Sequence, residues 1–274
     1  MIKSGSGFQV QRSGFAFRFG GIVAAVFLLL GLPTASWAQT AIEFFPAFDF
    51  HMDASMLGSD DPRFSWDANL GGALDVLGWN RGRATFLANY EVIMGDEFRR
   101  FDPNQGNYTL EGSVSRDLAG VEVSGQFHHV SRHLSDRPKR QAIDWNMIGA
   151  RIRRSQASGA AQLDAQVDIR GVLAKSAVDY RWEVESAIGS RFGIRPRVDL
   201  VTGVSLRVLG VDGSLDRGTQ AGFRGEGGVR LKGTGASMEL FVAAERRIDP
   251  YQLQAATDTW LAVGFRLVGR DEVP

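Results

Sequence analysis

Three of the chain's four histidines fall between residues 128 and 133, and one of them, His129, stands two residues before a serine, Ser131. On a β-strand residues i and i+2 share a face, so the His129 imidazole can reach the Ser131 hydroxyl and take its proton, the chemistry of an activated nucleophile. Such a base needs a third group to hold its ring and tautomer. The next apolar segment opens Asp144-Trp145-Asn146-Met147-Ile148, and Asn146 shares parity with Ile148, Ala150 and Ile152. Either Asn146 or Asp144 can therefore stand beside His129. The candidate catalytic set is His129 as base, Ser131 as nucleophile and Asn146 as orienter. No metal or cofactor site is assigned, and the cofactor requirement is unknown.

The segment that must position this set alternates. Val121, Val123, Gly125 and Phe127 fall on one face, and Glu122, Ser124, Gln126 and His128 on the other. The apolar face turns polar at His129 and Ser131. Two other readings compete with catalysis. An interfacial girdle, hydrogen-bonded to headgroups or loop backbone, accounts for His128, His129 and His133. A metal site would combine His129 or His133 with Asp136, joined by His51 and Asp53 from the first loop end, although i, i+4 spacing suits a helix better than a strand.

The same period of two recurs along the chain. Phe64, Trp66, Ala68, Leu70, Gly72 and Leu74 alternate with Ser65, Asp67, Asn69, Gly71, Ala73 and Asp75. Further alternating segments cover residues 84–92, 108–115, 163–171, 198–208 and 261–267, and less regular ones lie near 41–50, 144–154, 180–191, 220–232 and 237–247. Tight connections are expected near 78–82, 118–120, 155–159, 193–196 and 233–235, and longer ones at 52–63, 95–106, 132–143, 210–219 and 248–256. Short and long connections thus alternate. The expected fold is all-β, an antiparallel up-and-down transmembrane β-barrel of about twelve strands with the long loops outside the cell. A soluble barrel shares the period but buries its apolar face inside.

Residues 1–38 carry Lys3, Arg12 and Arg18 without an acid, then the apolar run Gly20 to Leu32 and the small-residue site Ser36-Trp37-Ala38. This reads as a signal peptide cut near Ala38, leaving residues 39–274 as a single outer-membrane barrel domain of a Gram-negative cell. Without those three cations the 31 basic residues become 28 against 31 acidic ones, a net charge of −3, and nothing in this balance suggests a nucleic-acid partner. The chain has no cysteine and hence no disulfide or thiol chemistry. After residue 38 no apolar run is long enough for a spanning helix.

The polar faces supply Glu91, Glu111, Glu122, Asp164, Asp168, Arg170, Arg181, Glu183, Glu185, Arg207, Arg224, Glu226, Arg230 and Lys232. Both signs are mixed, as expected of a packed lumen that holds the barrel's shape, whereas a selective channel would show one sign. Trp66, Tyr90, Tyr108, Trp145, Tyr180 and Trp182 read as interfacial aromatics. The loop at 95–106 offers Asp96, Glu97 and Asp102 as a conceivable Ca²⁺ site without EF-hand spacing. Arg132, Arg137, Lys139 and Arg140 make the next loop basic, with lipopolysaccharide phosphates as partner.

The His-x-Ser with an amide on the following strand resembles the outer-membrane phospholipase A type of barrel, also twelve-stranded. That likeness implies His129 as base, Ser131 as nucleophile and Asn146 as orienter, facing the outer leaflet. In that family Asn-Gly follows the serine, where this chain has Arg132-His133. Asn107-Tyr108 and His129-Val130-Ser131-Arg132-His133-Leu134-Ser135-Asp136 also resemble a family of bacterial, β-rich outer-membrane proteins with a His-x-Ser-x-His-Leu-x-Asp segment. This second resemblance implies architecture and no activity. The expected role is a structural or surface-binding barrel with a largely filled polar lumen. The alternatives are a serine hydrolase of outer-leaflet phospholipid or lipid A, and a narrow solute channel. Expected partners are outer-membrane lipid or lipopolysaccharide and the barrel-assembly machinery, which would read Phe265 or Leu267 in place of a terminal aromatic.

Overall fold

The computed structural model describes residues 42–135 and 141–269. The expected signal peptide and Asp136, Arg137, Lys139 and Arg140 lie outside the described residues. Thirteen strands follow one another: β1 (Glu43–Phe44), β2 (Phe48–Leu57), β3 (Trp66–Trp79), β4 (Gly82–Gly95), β5 (Asp102–Leu118), β6 (Val121–Leu134), β7 (Ile143–Ser158), β8 (Ala161–Ser176), β9 (Tyr180–Arg195), β10 (Val198–Val211), β11 (Gln220–Lys232), β12 (Ser237–Ile248) and β13 (Thr257–Val268). From β2 onward each pairs antiparallel with the next, and β13 pairs back onto β2. The result is a closed, twelve-stranded, up-and-down barrel without a free edge. The two-residue β1 only extends the β2 edge along β3, Glu43 lying opposite Gly78.

The barrel is inside-out relative to a soluble one. Leu70, Phe86, Leu110, Phe127, Ile169, Ile188, Val204, Leu240 and Leu261 are exposed on its outer face. A monomer in water does not sustain so extensive an apolar surface, and a hydrocarbon layer stabilises it. Inside, charges of both signs are paired in two networks. Arg151 joins Glu111 and Asp168 at 2.7 Å each, and Arg170 joins Asp168 at 2.9 Å and also Glu183. On the opposite wall Arg247 reaches Asp67 at 2.5 Å, Glu91 at 3.2 Å and Glu245 at 2.6 Å, while Arg266 reaches Glu226 at 2.9 Å and Glu239 at 2.8 Å. Between the two networks lies a cavity of about 410 Å³ lined by Glu91, Asp168, Glu185, Arg207, Arg224 and Arg247 among others.

The strands overrun their expected ends, chiefly toward the long loops. β5 has 17 residues because it begins at Asp102, absorbing part of the expected 95–106 loop. Asp102, Asn104, Gln105 and Asn107 are all buried within it. Polar residues that pack inward above the membrane carry no hydrophobic alternation, so this part of the strand is silent in sequence. The expected first strand, near 41–50, is displaced to 48–57, where His51, Asp53 and Ser55 line its inner face. The connection between β8 and β9, three residues from Ala177 to Asp179, is the shortest at the long-loop end.

Apolar clusters close that end. Leu57, Phe64, Ile93, Phe241 and Trp260 form one, and Trp145, Met147, Tyr180, Leu209 and Ile248 form the other. Trp145 and Tyr180 are therefore core residues, not interfacial aromatics. The β12–β13 connection crosses the mouth. Gln105 on β5 donates to the Pro250 carbonyl at 3.1 Å and accepts from the Gln252 amide at 3.0 Å. Asp249 accepts from Tyr180 at 2.6 Å and from Arg217 at 2.7 Å, and Arg217 also grips Asp179 at 2.6 Å. Three connections are thus tied together over the lumen.

Candidate functional site

The outer face near the long-loop end of β4 to β7 is where the candidate residues meet. β6 alternates as expected, with Ser124 and Gln126 buried inward and Phe127 exposed outward. His129 and Ser131 keep the outward parity of Phe127. The β6–β7 register sets His129 opposite Asn146 and Ser131 opposite Asp144. His129 Nδ1 lies 2.9 Å from Asn146 Oδ1. An amide oxygen only accepts, so the proton of His129 sits on Nδ1 and the lone pair is left on Nε2, the nitrogen a general base needs. Of the two expected orienters it is Asn146 that makes this bond.

Ser131 turns the other way. Its Oγ lies 2.8 Å from Nε2 of His133, not against His129. His133 stands edge-on to Tyr108, ring centroids 5.3 Å apart at 80°, and Tyr108 lies beside Tyr90 at 4.6 Å. Gly106, opposite His133 in the β5–β6 register, makes this packing possible. A Cβ there would come within 2.6 Å of the Tyr90 hydroxyl oxygen and 3.0 Å of its Cε2. Tyr90 and Tyr108, which the sequence offers as interfacial aromatics, thus pack beside His133, a residue outside the expected set of His129, Ser131 and Asn146. Positions 129, 131 and 133 share one parity, the sequence signal that puts His133 on the same face.

His129 and Asn146 lie on the outer wall toward the long-loop ends of β6 and β7, and Ser131 and His133 stand still nearer that end of β6. Hydrocarbon offers no hydrogen bonds, so a polar side chain on the lipid-facing wall costs several kcal/mol unless it is paired, as His129 and Asn146 are.

Other expected groupings do not form. His128 faces the lumen and bonds Glu111 at 2.9 Å. His51, at 3.0 Å from Asn89, and Asp53 also line the lumen, on the inner side of the wall from His129, so neither can share a metal with it. Asp102 is buried with Arg99 3.7 Å away, which removes it from a Ca²⁺ site with Asp96 and Glu97. Among the described residues no three His, Asp or Glu side chains converge as metal ligands. Arg132 points inward, donating to the Asp249 carbonyl at 2.9 Å and lying over the Trp145 ring at 5.2 Å, so it is not part of a basic outer loop. Arg181 is exposed because the β9–β10 register shifts between Gly210 and Val211, putting it at a bulge outside the lumen.

Fold, apolar exterior and charged interior define a transmembrane β-barrel of the outer-membrane type. No family profile matches the chain, and no curated protein matches it in sequence. Its fold is similar to that of outer-membrane phospholipase A from Escherichia coli, with TM-score 0.53 and 10% identity over 84% of this chain and 99% of that one. A phospholipase dimer from Salmonella typhi with bound calcium gives 0.53 and 9% identity over 84% and 93%. An outer-membrane channel from Pseudomonas putida gives 0.51 and 11% identity over 86% and 99%. One architecture thus serves a lipolytic enzyme and a channel, and at these identities the likeness establishes the fold alone.

Proposed function

We propose that this protein is a serine hydrolase of the outer membrane, cleaving acyl esters of outer-leaflet phospholipid or lipid A. Ser131 is the nucleophile, served by an imidazole of its own strand, and Asn146 holds His129. The observation that carries this reading is the Ser131 hydroxyl on the lipid-facing wall, 2.8 Å from Nε2 of the His133 imidazole, with His129 bonded to Asn146 beside it. A structural or girdle role does not call for a serine hydroxyl paired with an imidazole on the face turned to lipid. The paired charges of the lumen and the loop across its mouth favour this reading over a solute channel.

The test is ester hydrolysis by the refolded full chain in micelles containing phospholipid or lipid A. Turnover should be present in the wild type and lost in Ser131→Ala, with the variant still showing the heat-modifiable gel migration of a folded barrel. Turnover unchanged in Ser131→Ala, or absent from the wild type, overturns the proposal and leaves a structural or surface-binding barrel.

A further inference from the structure

The geometry points to His133 as the general base and acid that acts on Ser131, with His129 and Asn146 forming a separate pair beneath it. This inference rests on Ser131 being the nucleophile. Ser131 sits between two outward imidazoles at i−2 and i+2. Its Oγ is already 2.8 Å from Nε2 of His133, whereas the pair formed by His129 engages Asn146. The His133 ring is held edge-on by Tyr108 at 5.3 Å, with Tyr90 behind, which limits the orientations it can adopt.

Direction along the strand favours the same assignment. An acyl ester of a membrane lipid lies at the boundary between hydrocarbon and headgroup, its acyl chain pointing into the membrane and its alcohol toward the headgroup. On β6 His129 lies on the short-turn side of Ser131 and His133 on the long-loop side, the direction in which the headgroups of the outer leaflet lie. The alcohol therefore leaves toward His133. As Ser131 Oγ bonds to the carbonyl carbon, its proton passes to His133 Nε2. When the ester C–O bond breaks, that proton goes to the departing alkoxide, leaving acyl-Ser131 and a neutral imidazole. Water then attacks the acyl carbon, giving its proton to the same nitrogen, which returns it to Ser131 Oγ as the fatty acid departs. One group thus serves each transfer, as general acid–base catalysis requires.

The experiment is covalent labelling of the refolded full chain by a long-chain fluorophosphonate in detergent micelles, followed as the mass gained at Ser131. Expected are labelling of the wild type, a loss of about a hundredfold in rate for both His133→Ala and His133→Gln, and His129→Ala within about tenfold of wild type. Folding of each variant is checked by its heat-modifiable gel migration. A His129→Ala loss equal to or larger than that of His133→Ala overturns the assignment while leaving Ser131 a nucleophile. No labelling of folded wild type, together with no ester turnover, overturns the hydrolase reading and this inference with it.

Discussion

His129 and Asn146 stand directly opposite one another on β6 and β7, with Nδ1 2.9 Å from Oδ1. Asn146→Leu keeps the side chain's bulk and removes the acceptor. The barrel should fold normally, and ester turnover should stay within about tenfold of wild type, as for His129→Ala, because His133 carries the proton transfers at Ser131. Turnover assays beside gel migration check this. A loss of about a hundredfold would make His129 the base instead.

Gly106 leaves the space that Tyr90 occupies. In Gly106→Val the added atoms displace the Tyr90 ring and with it the stack on Tyr108 that supports His133. Overpacking of this kind costs about 1–3 kcal/mol. A lower urea midpoint and slower Ser131 labelling are expected together, whereas loss of stability with unchanged labelling would separate the aromatic stack from the site.

Arg247 is shared by Asp67, Glu91 and Glu245 inside the lumen. Arg247→Met leaves three carboxylates facing one another without their cation, and stability should fall by about 3 kcal/mol or more. Equilibrium unfolding in urea measures it. The variant should still bring His129 and Asn146 together, because they lie on the outer face of β6 and β7, away from β12.

Loop carboxylates set the acid limit of the long-loop end. The Asp61 carboxyl is held below its usual range by hydrogen bonds from Arg63, and that of Asp212 by its bond to Lys175. A depressed folded pKa stabilises at pH above the unfolded value of about 3.9 and is lost as pH falls through the folded value. Hydrogen exchange in the loops at 58–65 and 212–219 should therefore stay constant, after correction for intrinsic rates, from pH 8 to about 5 and rise only below about 4. A protection change between pH 6 and 7 would contradict it.

The ties of Asp249 to Arg217, Tyr180 and Arg132 close the mouth. Wild-type protein in planar bilayers should show no steady conductance. Arg217→Ala strips the buried Asp179 and Asp249 of their shared cation, so conductance steps or protease cuts at 249–256 should appear in that variant alone. Steady conductance of the wild type would revive the channel reading.

Much of the fold was legible because lipid on one side and a charged lumen on the other impose a strict period of two, which segments such as 121–127 and 198–208 obey. The same rule hid the upper strands. Near the long-loop end Asp102, Asn104, Gln105 and Asn107 are buried against protein, and their polar character breaks no pattern a reader of sequence would notice. The bulge that turns Arg181 outward likewise depends on pairing with β10.

Sequence alone determined the barrel, its approximate strand number, the mixed charge of its lumen and the outward parity of His129, Ser131 and Asn146, since each depends only on local alternation. Tertiary structure decided which imidazole meets the serine, which residue holds His129 and how the mouth is closed. Those outcomes depend on cross-strand register, on side-chain rotamers and on a loop from β12 reaching β5, none of which is encoded in spacing along one strand.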